Sequence, residues 1–221
     1  LTSDYIGVND LNDKYIPNLD AMLNERYYLK SIEAKGARIK YIPTYLAQEF
    51  SNYKRCIKEK LASNVVTING EVFTQEFFID EYNYYFINWC IPTAKRLILE
   101  NELKPVKIDF KGIIDQVRRN EIDQNYLPIA LKNEQPIIIA YYPMCPQPSV
   151  VIDGNHRVLA KYDAGEKMMN TFDLSPHIHL QAMTSELDRL LYKVHHNLSC
   201  IGESIAGNLP AKDVKRKLFT I

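Results

Sequence analysis

Five consecutive residues, Asp153, Gly154, Asn155, His156 and Arg157, carry the side chains best suited to chemistry in this chain. They follow the β-branched run Val150-Val151-Ile152 and precede Val158, Leu159 and Tyr162, which recur at helical spacing up to Gly165. The pattern predicts a strand, a turn made sharp by Gly154, and a helix whose first turn opens on the polar trio. A helix N-terminus has backbone N–H groups without intrahelical acceptors and the positive end of the peptide dipoles, so it attracts anions. Arg157 adds a planar fork of donors matched to phosphate oxygens, His156 adds a further donor, and Asp153 adds a carboxylate able to hold a metal ion or accept a proton. The chemistry to expect is phosphate binding by Gly154, Asn155, His156 and Arg157, with Asp153 and His156 as catalytic candidates.

The longer string Asp153-Gly154-Asn155-His156-Arg157-Val158-Leu159-Ala160 resembles the Asp-Gly-x-His-Arg box of the ParB/sulfiredoxin-like superfamily. Its surroundings agree: Asn133-Glu134-Gln135-Pro136-Ile137-Ile138-Ile139 is similar to the segment in which a short helix ends and a strand enters the sheet. After Gly165, the stretch Lys167-Met168-Met169-Asn170-Thr171-Phe172-Asp173 fits a returning strand. The resemblance spans about residues 105–175. It implies a small mixed sheet with flanking helices and a nucleotide ligand, ATP, ADP or CTP, with Mg²⁺ held through Asp153.

The branches of this superfamily differ in chemistry. Sulfiredoxins carry a cysteine in the box where this chain has Asn155, which argues against that activity. ParB proteins follow the box with a helix-turn-helix domain, and fewer than fifty residues remain here after Phe172. The box comes closest to that of free-serine kinases, although Asn155 stands where they have a first histidine. That branch implies an acidic general base soon after the first strand of the domain, for which Asp115 is the candidate and Glu134 the second. Such a base must take the proton of an attacking hydroxyl while the phosphates sit at the Arg157 turn.

The elements that must position the box are legible to different degrees. The chain has 221 residues, 46% of them apolar, enough for a sizeable core. Its 27 basic and 27 acidic residues balance, so no global field draws it to nucleic acid or to an anionic membrane. Cys56, Cys90, Cys145 and Cys200 show no Cys-x-x-Cys spacing, and reduced thiols in a cytoplasm are the simplest account. No signal-peptide pattern or long uncharged apolar run is present, so no membrane association is expected.

Residues 1–104 read as a mostly helical region. Asn18 caps a helix with Leu19, Met22, Leu23 and Tyr27 on its stripe, and Leu46, Phe50, Tyr53, Ile57 and Leu61 mark a second. Asn69-Gly70 between β-branched flanks predicts a hairpin over 65–73. The aromatic-rich stretch 77–91 reads as helix, and Pro92-Thr93 starts another running to Leu103. Its tyrosines suit a core, with a partner-docking face as the minority alternative.

Lys104-Pro105 is the boundary, and 105–221 forms the second region, opening on the alternating strand Val106–Phe110. Three prolines between Tyr142 and Pro148 predict an exposed loop carrying an inert Cys145, or a lid over the turn. Met183, Leu187, Leu190, Leu191, Val194 and Leu198 mark a long amphipathic helix, ended by His195 and His196 as cationic caps, before a loosely ordered basic tail over 212–217.

The chain is therefore expected to be an α+β protein that binds a nucleotide or phosphate ligand. Phosphoryl transfer to a small hydroxylated acceptor is the first chemistry implied. A non-enzymatic nucleotide-binding switch, or a DNA-associated accessory protein presenting its Tyr-rich N-terminal face to a protein partner, is the alternative. A nuclease ranks third, because one box supplies too few carboxylates for a two-metal site, and direct nucleic-acid binding is disfavoured.

Overall fold

A computed structural model describes residues 18–66, 70–78, 84–143 and 148–221. Its core element is the strand pair that the apolar runs predict. The run Ile137–Tyr141 (β4) pairs antiparallel with Ser149–Asp153 (β5) and parallel with Met168–Leu174 (β6), which pairs antiparallel with Val106–Asp109 (β3). The sheet order is β3-β6-β4-β5.

Alternate residues of a strand face opposite sides of the sheet, and here both sides are covered. Ile138, Ala140, Val150, Ile152 and Leu174 join the larger buried cluster. Ile137, Ile139, Val151 and Met169 join a smaller one with Phe110, Ile113, Val117 and Val158. Two-sided burial explains why β4 and β5 read as continuous apolar runs without alternation.

The larger cluster draws on both sides of residue 104. It includes Leu19, Leu23, Tyr28, Leu46, Phe50 and Ile57 together with Leu191, Val194, Leu198 and Ile201. The first six come from helices Leu19–Met22 (α1), Glu25–Ala34 (α2) and Leu46–Ala62 (α3) and their junctions. Asn18 and Asn24 cap the first two, each accepting from a backbone N–H three residues on, at 3.0 and 3.1 Å.

A two-stranded hairpin follows, displaced from where Asn69-Gly70 points. Val72–Phe78 (β1) pairs antiparallel with Tyr84–Cys90 (β2), and Val65 and Val66 lie in no strand. Asn69 itself falls outside the described residues, as do Tyr82 and Cys145. The stretch 77–91 is thus strand rather than helix in its described part, apart from Ile91, which opens the next helix. Tyr85, Ile87 and Trp89 are fully buried at a period of two, while Tyr84 and Phe86 occupy the opposite face. The helix Ile91–Glu100 (α4) follows, with Pro92 in its first turn.

Two short helices, Ile114–Val117 (α5) and Leu127–Leu131 (α6), lead into β4, and Asn155–Asp163 (α7) follows β5. After β6 come Pro176–Ala182 (α8), Glu186–Ile205 (α9) and Ala211–Lys217 (α10). The helix α9 runs ten residues beyond His195, so neither His195 nor His196 caps it, and the predicted loose tail is α10, anchored by the buried Val214. Of the predicted proline-rich loop, Tyr142 is fully buried, Pro148 is exposed, and 144–147 lie outside the described residues. No helix among the described residues is long and apolar enough to cross a membrane.

The start of α9 is fastened by Asp188. Its carboxylate accepts from the hydroxyls of Ser185 (2.6 Å) and Thr184 (2.9 Å), and from the backbone N (3.1 Å) and side-chain Nδ2 (3.0 Å) of Asn88 on β2. Burial pushes its carboxyl above the ordinary aspartate range despite these donors. Asp188→Ala leaves four donors without this acceptor, the two hydroxyls buried and the two of Asn88 half-buried, and is expected to lower unfolding free energy by about 2–4 kcal/mol. Urea denaturation measures this; a loss below about 1 kcal/mol would show that α9 docks without the carboxylate.

Candidate functional site

The box sits at the end of β5, where the sheet gives way to α7. Gly154 adopts φ +99°, a region that L side chains rarely enter. A Cβ there would lie 2.5 Å from Cγ2 of Ile137 and 2.7 Å from Nη2 of Arg157, so the corner also excludes other residues by space. The first intrahelical bond runs from Val158 N to Gly154 O (3.0 Å). The amides of Asn155, His156 and Arg157 precede it, as an anion-attracting first turn requires.

Arg157 lies differently from the outward fork that the sequence suggests. Its side chain is buried, and Nη1 donates to the carbonyls of Gln135 (2.9 Å) and Pro136 (3.3 Å). Nη2 stands 3.3 Å from Oδ2 of Asp153. Arg157 therefore staples the segment entering β4 to the first turn of α7. One turn on, the buried Lys161 does the same through Glu134 (2.8 Å) and Glu166 (3.2 Å). Glu134, the second candidate base, is held in that pair.

Asp153 also receives Lys95 from α4, with Nζ 3.1 Å from the same Oδ2. Lys95 is the site residue that sequence reasoning misses, since no spacing rule links it to a box 58 positions away. Two cations on one carboxylate, beside a helix N-terminus, leave the corner with surplus positive charge. The Lys95 side chain is 52% exposed and free to turn toward a ligand.

His156 accepts at Nε2 from the backbone N of Asp123 (3.2 Å), so the donor expected of it is carried by Nδ1. Tyr126 packs edge-on against its ring at 5.2 Å between centroids. Asn155 donates to Val151 O (3.1 Å) and accepts from Asn120 Nδ2 (2.9 Å). Asp115 is exposed in the first turn of α5, and its carbonyl accepts from Arg119 Nε (3.2 Å). Among the described residues no three His, Cys, Asp or Glu side chains group as a metal site. A Mg²⁺ ion here would have Asp153 as its protein carboxylate, with phosphate oxygens and water completing the shell, a ligand set that this ion accepts.

A cavity of about 1,040 Å³ lies between α2, the hairpin, the α5–Glu121 segment and α9; no residue of the box lines it. Phe73, Gln75 and Phe77 line it from β1, with Gln116, which hydrogen-bonds Gln75 at 2.8 Å, and Asn120. Asn120 thus touches both the cavity and the box. His195 also lines it, with the hydroxyls of Tyr85 and Tyr142 on its Nδ1, the latter at 3.3 Å. Burial pushes the His195 ring down to about 3.

Comparison of the chain with family models, with curated proteins and with solved structures finds no match.

Proposed function

We propose that this protein binds a phosphate-bearing ligand, a nucleotide such as ATP, ADP or CTP, with the phosphates at the first turn of α7. The observation that carries the reading is the shared wall: Asn120 lines the cavity and donates to Asn155 of the box, so a ligand body in the cavity has an anion-attracting helix start within reach. The turn's amides and Lys95 would hold the phosphates, and Asp153 would hold Mg²⁺ once Lys95 swings to the ligand. The strand–Gly154–helix corner and the mixed four-stranded sheet are in keeping with a ParB/sulfiredoxin-like domain for residues 105–175.

Phosphoryl transfer to a small hydroxylated acceptor is the catalytic version of this reading, with Asp115 as the candidate base. The bonding of Arg157 favours the second version, nucleotide binding without turnover. Its guanidinium, the group best suited to a transferring phosphoryl, is engaged with Gln135, Pro136 and Asp153.

Calorimetric titration with ATP, ADP and CTP, with and without Mg²⁺, tests the reading. Lys95→Ala is expected to weaken binding about tenfold, equivalent to about 1.4 kcal/mol, while Lys54→Ala on α3 changes nothing. Absence of heat with all three nucleotides would end the proposal. Phosphate release dependent on an added amino acid or sugar would select the transferase over the switch.

A further inference from the structure

We infer that the cavity is the recognition site for a flat heteroaromatic ring with a hydrogen-bond donor next to an acceptor, the edge that a nucleobase presents, and that Gln75 and Asn120 read it. This deepens the reading above and rests on it. The orientation of both side chains follows from the backbone N–H and C=O of one residue, Val151 on β5.

A backbone N–H can only donate, so the bond from Val151 N to Gln116 (3.0 Å) must end on Oε1. Gln116 Nε2 is then the donor to Gln75, at 2.8 Å, and Gln75 must present Oε1 to it. The amide nitrogen of Gln75 is left on the other side, where one N–H meets the carbonyl of Glu76 (3.0 Å) and the second remains a donor.

The carbonyl of Val151 starts a matching relay of opposite sense. It can only accept, so Asn155 turns Nδ2 to it (3.1 Å) and Oδ1 away. Asn120 therefore turns Nδ2 to Asn155 (2.9 Å), which leaves its own Oδ1 as an acceptor. Two relays that begin on one rigid, buried residue end on two cavity-lining amides, one offering a donor and one an acceptor.

Phe73 and Phe77 flank Gln75 on the same face of β1 and supply apolar wall against which a ring can lie. Among the described residues the charged groups lining the cavity, Lys35, Arg119, Glu76 and Glu121, balance in sign, which suits an uncharged body whose phosphates lie elsewhere, at α7. A sugar phosphate or a free phosphate would leave the two amides and the aromatic wall without a counterpart.

Gln75→Glu is the discriminating variant: a carboxylate keeps the oxygen that accepts from Gln116 and removes the outward donor. Adenosine, cytidine and inorganic tripolyphosphate are titrated separately into wild type and variant, with thermal melting as the control for folding. Adenosine or cytidine should bind the wild type and lose at least tenfold in affinity to Gln75→Glu, with tripolyphosphate affinity and melting temperature nearly unchanged. Tripolyphosphate binding without either nucleoside binding overturns the base site and leaves the phosphate site standing. Nucleoside binding unaffected by Gln75→Glu also overturns it. Failure of both nucleosides and tripolyphosphate removes the phosphate reading as well.

Discussion

Gly154→Ala is expected to destabilise the protein by about 2–6 kcal/mol, from backbone strain of about 1–3 kcal/mol and overpacking of similar size. The first arises because alanine must hold φ +99°; the second because its methyl group would meet Ile137 Cγ2 at 2.5 Å. Ile137 is fully buried in the smaller cluster and cannot yield without disturbing Val151 and Val158 beside it. For a chain of this length the melting temperature should fall by roughly 10 °C.

The two contributions separate in a double-mutant cycle. Ile137→Ala removes the obstructing methyl but not the strain, so the pair should be more stable than the sum of the single effects by at least about 1 kcal/mol. Strict additivity would show that the corner relaxes away from Ile137, and a loss below about 1 kcal/mol for Gly154→Ala alone would show that the backbone finds another path. The result bears on function too, because the same φ aims the first amides of α7.

Residue pattern made the second half of the fold legible and the first half less so. Val150-Val151-Ile152, Asp-Gly and the helical spacing after Arg157 act locally, and strand, turn and helix appear in that order. The existence of the long helix α9 was readable from the apolar stripe that runs to Leu198, but its end was not, since the helix continues ten residues beyond His195. The hairpin was misplaced because Asn69-Gly70 is a strong local signal, while the actual partners of β1 lie beyond Phe78, in a stretch where Tyr84, Tyr85 and Phe86 put aromatics on both faces and hide the period of two. Partly buried aromatics on the outer face defeat any alternation test.

The site divides along the same line. Spacing brought out the box itself, since Asp153 and Arg157 stand four apart and do meet. It could not bring out Lys95, Gln75, Gln116 or Asn120, whose relation to the box exists only through tertiary packing. Nor could it foresee that Arg157 faces two carbonyls, because these belong to the turn before β4, 21 and 22 residues away.

Acidification from pH 7.5 to pH 5 should remove about 4 kcal/mol of folding free energy, most of it through two histidines. His179 is fully buried and among the described residues neither ring nitrogen has a well-formed hydrogen bond, so burial pushes it down to about 3, outweighing a weak polar contact with the Tyr141 backbone. Burial, with Lys35 nearby, pushes His195 down to about 3 as well. In the unfolded chain both protonate near the ordinary histidine value of about 6.5. Between those limits the unfolded state binds more protons than the native one, so stability is complete above the upper limit and falls as the pH drops toward the lower. Two such groups give a slope of about 3 kcal/mol per pH unit in the middle of the window.

His196 is shifted in the same direction, mainly by burial, and steepens the loss. Asp188 and Asp173, raised by burial, act oppositely, since their native forms take up protons first, and they soften the fall at its acid end. His179→Leu separates the parts. It replaces a ring that packs between Tyr192 and Trp89, at 4.8 and 6.3 Å between centroids, and so carries a packing cost at every pH. Its slope between pH 6 and pH 4 should nonetheless fall to about half that of the wild type, because one of the two neutral rings is gone. Urea denaturation at half-unit steps of pH measures both slopes. Equal slopes for variant and wild type would mean that His179 already carries its proton inside the native core.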